Sequence, residues 1–170
     1  MIYKEVHPTM KNEILKLLEN DAKLTAAQIA AMLGCDVSEV EAAIAELEEN
    51  NIILGYNTVI DWEKTNREYV SAMIEVKLTP QRDRGYDKIA EKIYKYPEVQ
   101  AVYLMSGGAY DLSILIEGKT MKEVSFFVAQ KLAPTEAVIS TATHFVLHKY
   151  KDKGVLYAPN ADPDERGNCN

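Results

Sequence analysis

TAAQIAAMLGCDVSEVEAAIAELEENN, residues 25–51, decides how the first third of the chain folds. Thr25 reads as an N-cap, and Ile29, Ala30 and Leu33 recur at the spacing of one helical face. Gly34 supplies the left-handed stop that closes this helix. Asp36 with Glu39 fits a capping box and opens the next helix, with Val37, Val40, Ile44 and Leu47 on its inner face. Asn50 and Asn51 end it, because asparagine tolerates positive φ better than most residues. Upstream, Ile14, Leu15, Leu17 and Leu18 form the buried stripe of an earlier helix that begins near Met10 and breaks at Asn20 and Asp21. Downstream, Ile52, Ile53, Leu54, Gly55 and residues 56–60 read as a small hairpin. Two short helices joined by a turn and followed by a hairpin make a winged helix-turn-helix, whose third helix ordinarily enters the DNA major groove.

The charge on that third helix opposes the expectation. It carries Glu39, Glu41, Glu46, Glu48 and Glu49 and no lysine or arginine. Residues 1–61 hold four bases (Lys4, Lys11, Lys16 and Lys23) against eleven acids, a net charge of −7 that equals that of the whole chain. The remaining residues balance. Basic side chains supply most non-specific affinity for phosphates, so a nucleic-acid binder ordinarily shows the opposite asymmetry.

From Tyr69 the periodicity changes to two. Val70, Ala72, Ile74, Val76 and Leu78 alternate with Ser71, Met73, Glu75 and Lys77, a half-buried strand. Residues 79–85 are a charged loop. Tyr86, Ile89, Ala90, Ile93 and Tyr94 mark an amphipathic helix closed by Pro97. Residues 99–105 and 111–117 read as strands around a turn at Gly107-Gly108, residues 121–132 as a helix, and residues 137–149 as the last strand. The order βαββαβ predicts a ferredoxin-like sandwich, an α+β fold with two helices on one face of a four-stranded antiparallel sheet. By alternation the other face takes Met73, Val102, Leu104 and Leu115. Apolar patches of that kind mark association surfaces, so a homodimer built by sheet-face packing is expected. The domains expected are 1–61, a connector at 62–68, the sandwich at 69–151 and a polar, disordered tail at 152–170.

Four motifs, in this order and spacing, resemble the Lrp/AsnC family of feast-or-famine transcriptional regulators. Residues 47–56, LEENNIILGY, are similar to the family's LEExGvIxgY, and Pro97-Glu98-Val99 follows at family spacing. Gly108-Ala109-Tyr110-Asp111 is similar to the family's GxyD, and Thr141-Ala142-Thr143 enters the last strand. The resemblance covers Met10 to about Lys151. It implies a RAM-type second domain, a homodimer or octamer, DNA binding through the winged helix, and sensing of a small amino acid between subunits near the Gly107-Gly108 loop. It implies DNA-facing residues Lys23, Thr25, Ser38, Glu39, Ala42 and Tyr56, with Lys11, Lys16 and the wing available for phosphates. Gly107, Gly108, Tyr110, Asp111, Thr141 and Thr143 are the implied effector site. The chain departs from the family where basic residues are usual and it has Ala42, Ala43, Ala45 and Glu46. Glutamate cannot donate to phosphate or guanine, although it accepts from cytosine N4.

The residues of the glycine turn support the effector reading on their own chemistry. Free N–H groups of glycine hold a carboxylate, and Asp111 pairs with an ammonium; the bland reading is a hairpin turn whose glycines supply positive φ. His144 and His148 share a strand face roughly 13 Å apart and do not chelate one ion. Adding His7 gives no metal-ligand spacing. Cys35 and Cys169 form neither a disulfide framework nor a metal set, which fits a reducing cytoplasm. No apolar run approaches the roughly 20 residues of a membrane span. The opening MIYKEVHPTMKNE lacks the apolar core of a signal peptide. No catalytic motif and no cofactor site is present. Two other readings stay open: a metabolite sensor that does not bind DNA, or a mixed-dimer partner of a basic paralogue. A third is an enzyme resembling the siroheme decarboxylases, for which basic and aromatic residues are scarce.

Overall fold

The structure is a computed structural model that describes residues 8–79 and 85–157. The chain divides into two compact units, Met1–Thr58 and Val59–Asn170. His7, Cys169, most of the charged loop (80–84) and residues 158–170 of the expected tail lie outside the described residues.

The first unit is three helices: α1 (Pro8–Asn20), α2 (Ala26–Leu33) and α3 (Val37–Glu49). Ile14, Ile29, Val40 and Ala43 are fully buried, with Leu18, Ala30 and Leu47 beside them. Burial of each large aliphatic side chain contributes about 1.5–3 kcal/mol, which is what holds three short helices together. Cys35 packs against this core as a small apolar group. Thr25 caps α2 with a complete capping box: its side chain accepts from the Gln28 N–H, and the Gln28 side chain accepts from the Thr25 N–H at 2.9 Å. The box expected at Asp36 does not form, since the Asp36 carboxylate is exposed to water and makes no cap bond. Gly34 adopts φ 68° and closes α2.

Asn51 does the same for α3 at φ 55°. The Asn51 N–H donates to the Glu48 carbonyl at 3.0 Å and the Ile52 N–H to that of Leu47 at 2.9 Å, the two bonds of a Schellman stop. An ordinary L residue meets a steric cost in this conformation. Asn51→Ala is therefore expected to lower stability by about 1 kcal/mol, read as a lower urea midpoint with an unchanged slope.

The hairpin expected at residues 52–60 is corrected. Residues 52–60 contain no strand pairing. The favoured hairpin turns need positive φ, and between residues 52 and 60 no residue, Gly55 included, has it. Ile53 packs on the helical core and Leu54 points into solvent.

The second unit is built on a sheet of β1 (Val70–Leu78), β2 (Val99–Leu104), β3 (Leu112–Gly118) and β4 (Val138–Val146). The order is β2-β3-β1-β4 and every pair is antiparallel. Helices α4 (Gly85–Tyr94) and α5 (Met121–Phe127), the latter continued by a π-helical turn at Val128–Leu132, bury Ile89, Ile93, Val124, Phe127 and Leu132 in one core with Ala72, Ile74, Val76 and Ile114. The expected βαββαβ order and one-sided helix layer are therefore present.

Two details differ. β4 ends at Val146 rather than 149, because Val146 pairs with Ser71 and β1 offers only one further residue. β2 carries a bulge between Val99 and Ala101. One extra residue flips every later side chain to the other face. Val102 thus lies opposite Ile114 and Leu104 opposite Leu112, in the helix-side row, and not on the uncovered face with Met73 and Leu115. Ala101 and Tyr103 take their places. The uncovered face also carries Glu75 and His144, whose side chains meet at 3.2 Å, so it is amphipathic rather than apolar. A hairpin of β5 (Lys151–Asp152) and β6 (Val155–Leu156) follows, turning at Lys153 and Gly154 with φ 46° and 82°. The polar tail expected from Asp152 thus opens with a hairpin.

Candidate functional sites

The water-facing side of α3 presents Ser38, Glu41, Ala42, Ala45, Glu48 and Glu49. Ser38, Ala42 and Ala45 are small and recur at helical spacing, which leaves a narrow surface able to approach a groove closely. Glu39 is half-buried on the same helix. Glu46 and Glu48 are held by side chains from outside the helix. Glu46 forms an ion pair with Lys11 of α1. Tyr56 donates its hydroxyl to Glu48 Oε1 at 2.9 Å. Burial and the adjacent Glu48 carboxylate push the Tyr56 pKa up. Glu41 and Glu49 have no partner among the described residues.

Lys11 is thus spent on Glu46, whereas Lys16 and Lys23 are exposed and carry no ion pair among the described residues. Thr25 has its hydroxyl closed onto Gln28. Of the expected DNA-facing residues, Ser38 and Ala42 share the open side of α3, Tyr56 is tied to its last turn, and Lys23 and Thr25 lead into α2.

At the second site, Gly107 and Gly108 adopt φ 82° and 86°, and a Cβ at either position would meet nothing within 4 Å. Backbone conformation, not crowding, requires glycine here. Tyr110 is half-buried. Asp111 is not a free carboxylate. Its Oδ2 accepts from the Leu78 N–H at 2.8 Å and lies 3.2 Å from Lys77 Nζ. The Leu78 N–H bond is the main reason its pKa is lowered; burial opposes it, and Lys77 adds to the lowering.

Asp111 therefore stitches β3 to β1 beside the bulge at Lys77/Leu78. Its depressed pKa contributes stability that is present above the ordinary value of 3.8 and is lost as pH falls through the lower folded value. Asp111→Ala is expected to cost about 1–3 kcal/mol, because the Leu78 N–H loses its acceptor. Asp111→Asn keeps an acceptor and is expected to cost less while removing the acid-side loss of stability. Thermal melts at pH 7 and pH 3.5 check both.

Thr141 and Thr143 sit opposite Val76 and Ile74 on the helix side of β4, whereas Asp111 meets Lys77 on the uncovered side. Thr141 and Thr143 thus stand on the opposite face of the sheet from Asp111, while Gly107, Gly108 and Tyr110 belong to the loop between β2 and β3.

The sequence reading missed a third place. The Trp62–Lys64 turn, Tyr69, Lys149 and Tyr157 surround a cavity of about 170 Å³ over Ser71. These segments read as polar connector and tail, although Trp62, Tyr69 and Tyr157 were an aromatic signal within them. Arg67 stacks on Trp62 with its guanidinium carbon 4.2 Å from the ring centre. His148 leaves the strand and faces Glu63 at 3.1 Å. Tyr69 donates to Glu117 Oε1 at 2.7 Å and accepts from Lys149 Nζ at 3.0 Å. Burial works against the Lys149 ammonium, but the Tyr69 oxygen and the Asp152 carboxylate outweigh it and raise its pKa.

Comparison with known proteins agrees with this two-part layout. Residues 10–53 match a winged helix-turn-helix DNA-binding model, and residues 71–156 match the Lrp/AsnC ligand binding domain. The uncharacterized HTH-type transcriptional regulator YugG of Bacillus subtilis is 45% identical over 157 residues, which is 92% of this chain and 93% of that protein. The crystal structure of the Neisseria meningitidis transcriptional regulator NMB0573 with L-Met superposes with a TM-score of 0.69 at 23% identity, covering 86% of this chain and 93% of that one. For E. coli AsnC the TM-score is 0.65 at 19% identity, covering 84% and 93%. Among the described residues no helix is long and apolar enough to cross a membrane.

Proposed function

Because this chain belongs to the Lrp/AsnC family of HTH-type transcriptional regulators, we propose that it is an amino-acid-responsive regulator acting as a homo-oligomer in the cytoplasm. The observation that carries this reading is the succession, in one chain, of the DNA-binding module over residues 10–53 and the ligand binding domain over residues 71–156. The L-Met complex of the Neisseria relative supports an amino acid as the class of effector. Relatives named as transcriptional regulators support a protein that is not an enzyme.

DNA is contacted by the small side chains of α3, with Lys16 and Lys23 reaching phosphates. Two such contacts give a weak, shallow salt dependence, with a slope of roughly −2 in log affinity against log salt. The effector acts by favouring one assembly over another, to the extent that its affinity for the two differs. Fluorescence polarisation against the gene's own upstream DNA, at low salt and with an amino-acid panel, tests the reading. Absence of binding at micromolar protein in every condition overturns it.

A further inference from the structure

Ser71 belongs to the uncovered row of β1, opposite Val146 and Glu117, yet it is only 3% exposed. The segments that flank the sheet in sequence fold over this end of it and enclose the 170 Å³ cavity. Two of the residues lining that space each hold a buried polar atom with no partner among the described residues, Ser71 Oγ and Asp61 Oδ1. Buried polar groups are nearly always paired, and an unpaired one destabilises the fold. Alanine at position 71 would pack without that penalty. A hydroxyl kept at a net loss to folding points to a molecule that completes it.

The lining specifies the molecule. Lys149 is a cation that gives one N–H to Tyr69 and lies 3.7 Å from Asp152, with three donors in all. Asp61 Oδ2 pairs with Lys64 at 3.1 Å, which leaves Oδ1 to accept from a ligand. Trp62, Tyr69 and Tyr157 supply apolar and aromatic wall. A cation, a carboxylate oxygen and a hydroxyl around a partly apolar space complement a zwitterion. The space equals about five or six waters at ~30 Å³ each, well under the ~300 Å³ at which drug-sized pockets begin.

The geometry points to this cavity as a binding site for a small zwitterionic α-amino acid, its carboxylate on Lys149, its ammonium on Asp61 Oδ1, and Ser71 Oγ completing the polar set. The site rests on the amino-acid-responsive reading above and lies apart from the glycine turn.

Trp62 is the chain's single tryptophan, so its emission reports on this cavity alone. The full-length protein is titrated with glycine, L-alanine, L-serine and L-valine, following emission and melting temperature. At least one should give a saturable emission change and raise the melting temperature by several degrees. Propionate and ethylamine, each with one of alanine's two charges, should bind at least tenfold more weakly than alanine. Ser71→Val should weaken binding tenfold or more while melting at or above the wild-type temperature without ligand. Ser71→Ala repeats the test if the valine does not fit, and Lys149→Gln should weaken binding likewise. An amino acid that stabilises the protein with Trp62 silent and Ser71→Ala unaffected overturns this site but leaves the regulator reading intact. Absence of any emission change, any stabilisation and any effect of amino acids on DNA binding overturns both.

Discussion

The double variant Glu41→Lys/Glu49→Lys is expected to bind DNA roughly 30- to 100-fold more tightly than the wild-type protein at low salt. These two carboxylates face water on α3 and have no partner among the described residues. A like-charge contact at about 4 Å costs on the order of 1 kcal/mol in bulk water, and lysine converts that cost into a comparable gain. Screening over a Debye length of about 10 Å at 0.1 M salt leaves about two-thirds of the sum at that distance. What remains is about 2–3 kcal/mol, and each 1.4 kcal/mol is tenfold in affinity. The slope of log affinity against log salt should steepen by about 2, since each added phosphate contact contributes about 0.9. Glu46 is left unchanged because it holds Lys11, and Glu48 because it holds Tyr56. Polarisation titrations at three salt concentrations measure both quantities. An unchanged slope would show that α3 does not face the phosphates.

Ile74→Ala carries the largest expected loss of stability. Ile74 is fully buried at the centre of β1, paired with Ile114 on one side and Thr143 on the other. Truncation in a site walled by two strands and the helix layer leaves a cavity the neighbours cannot fill. Such changes cost about 2–5 kcal/mol, out of a total stability of about 5–15 kcal/mol. At about 4–8 °C per kcal/mol for a domain of this size, the second unit should melt at least about 8 °C lower. Ile74→Val, which removes one methylene, should lose about 0.5–1.5 kcal/mol. Equal melting of both variants would mean that the core around Ile74 is not close-packed.

Much of the architecture is legible along the chain because it depends on neighbours. The stripe at Ile14 and Leu18, the stop at Gly34 and the alternation from Ala72 to Leu78 each follow from residues a few positions apart, and the structure places them as read. Failures occur where a distant group decides. The bulge before Ala101 moves Val102 and Leu104 to the helix side, and nothing in the residues 99–104 announces it. Asp111 reads as a free carboxylate beside a glycine turn, but the Leu78 N–H, 33 positions away, occupies it.

Local order therefore determined the helices, the strands, their βαββαβ succession and the acidic character of α3. These rest on side-chain period, capping chemistry and charge, all of which act within a few residues. Tertiary structure alone decided which glutamates are neutralised, which face each β2 residue takes, and that Ser71 is enclosed by Trp62 and Tyr157 instead of standing on an open sheet. Those outcomes depend on long-range pairing and burial, and the period of a strand carries no record of what lies across from it.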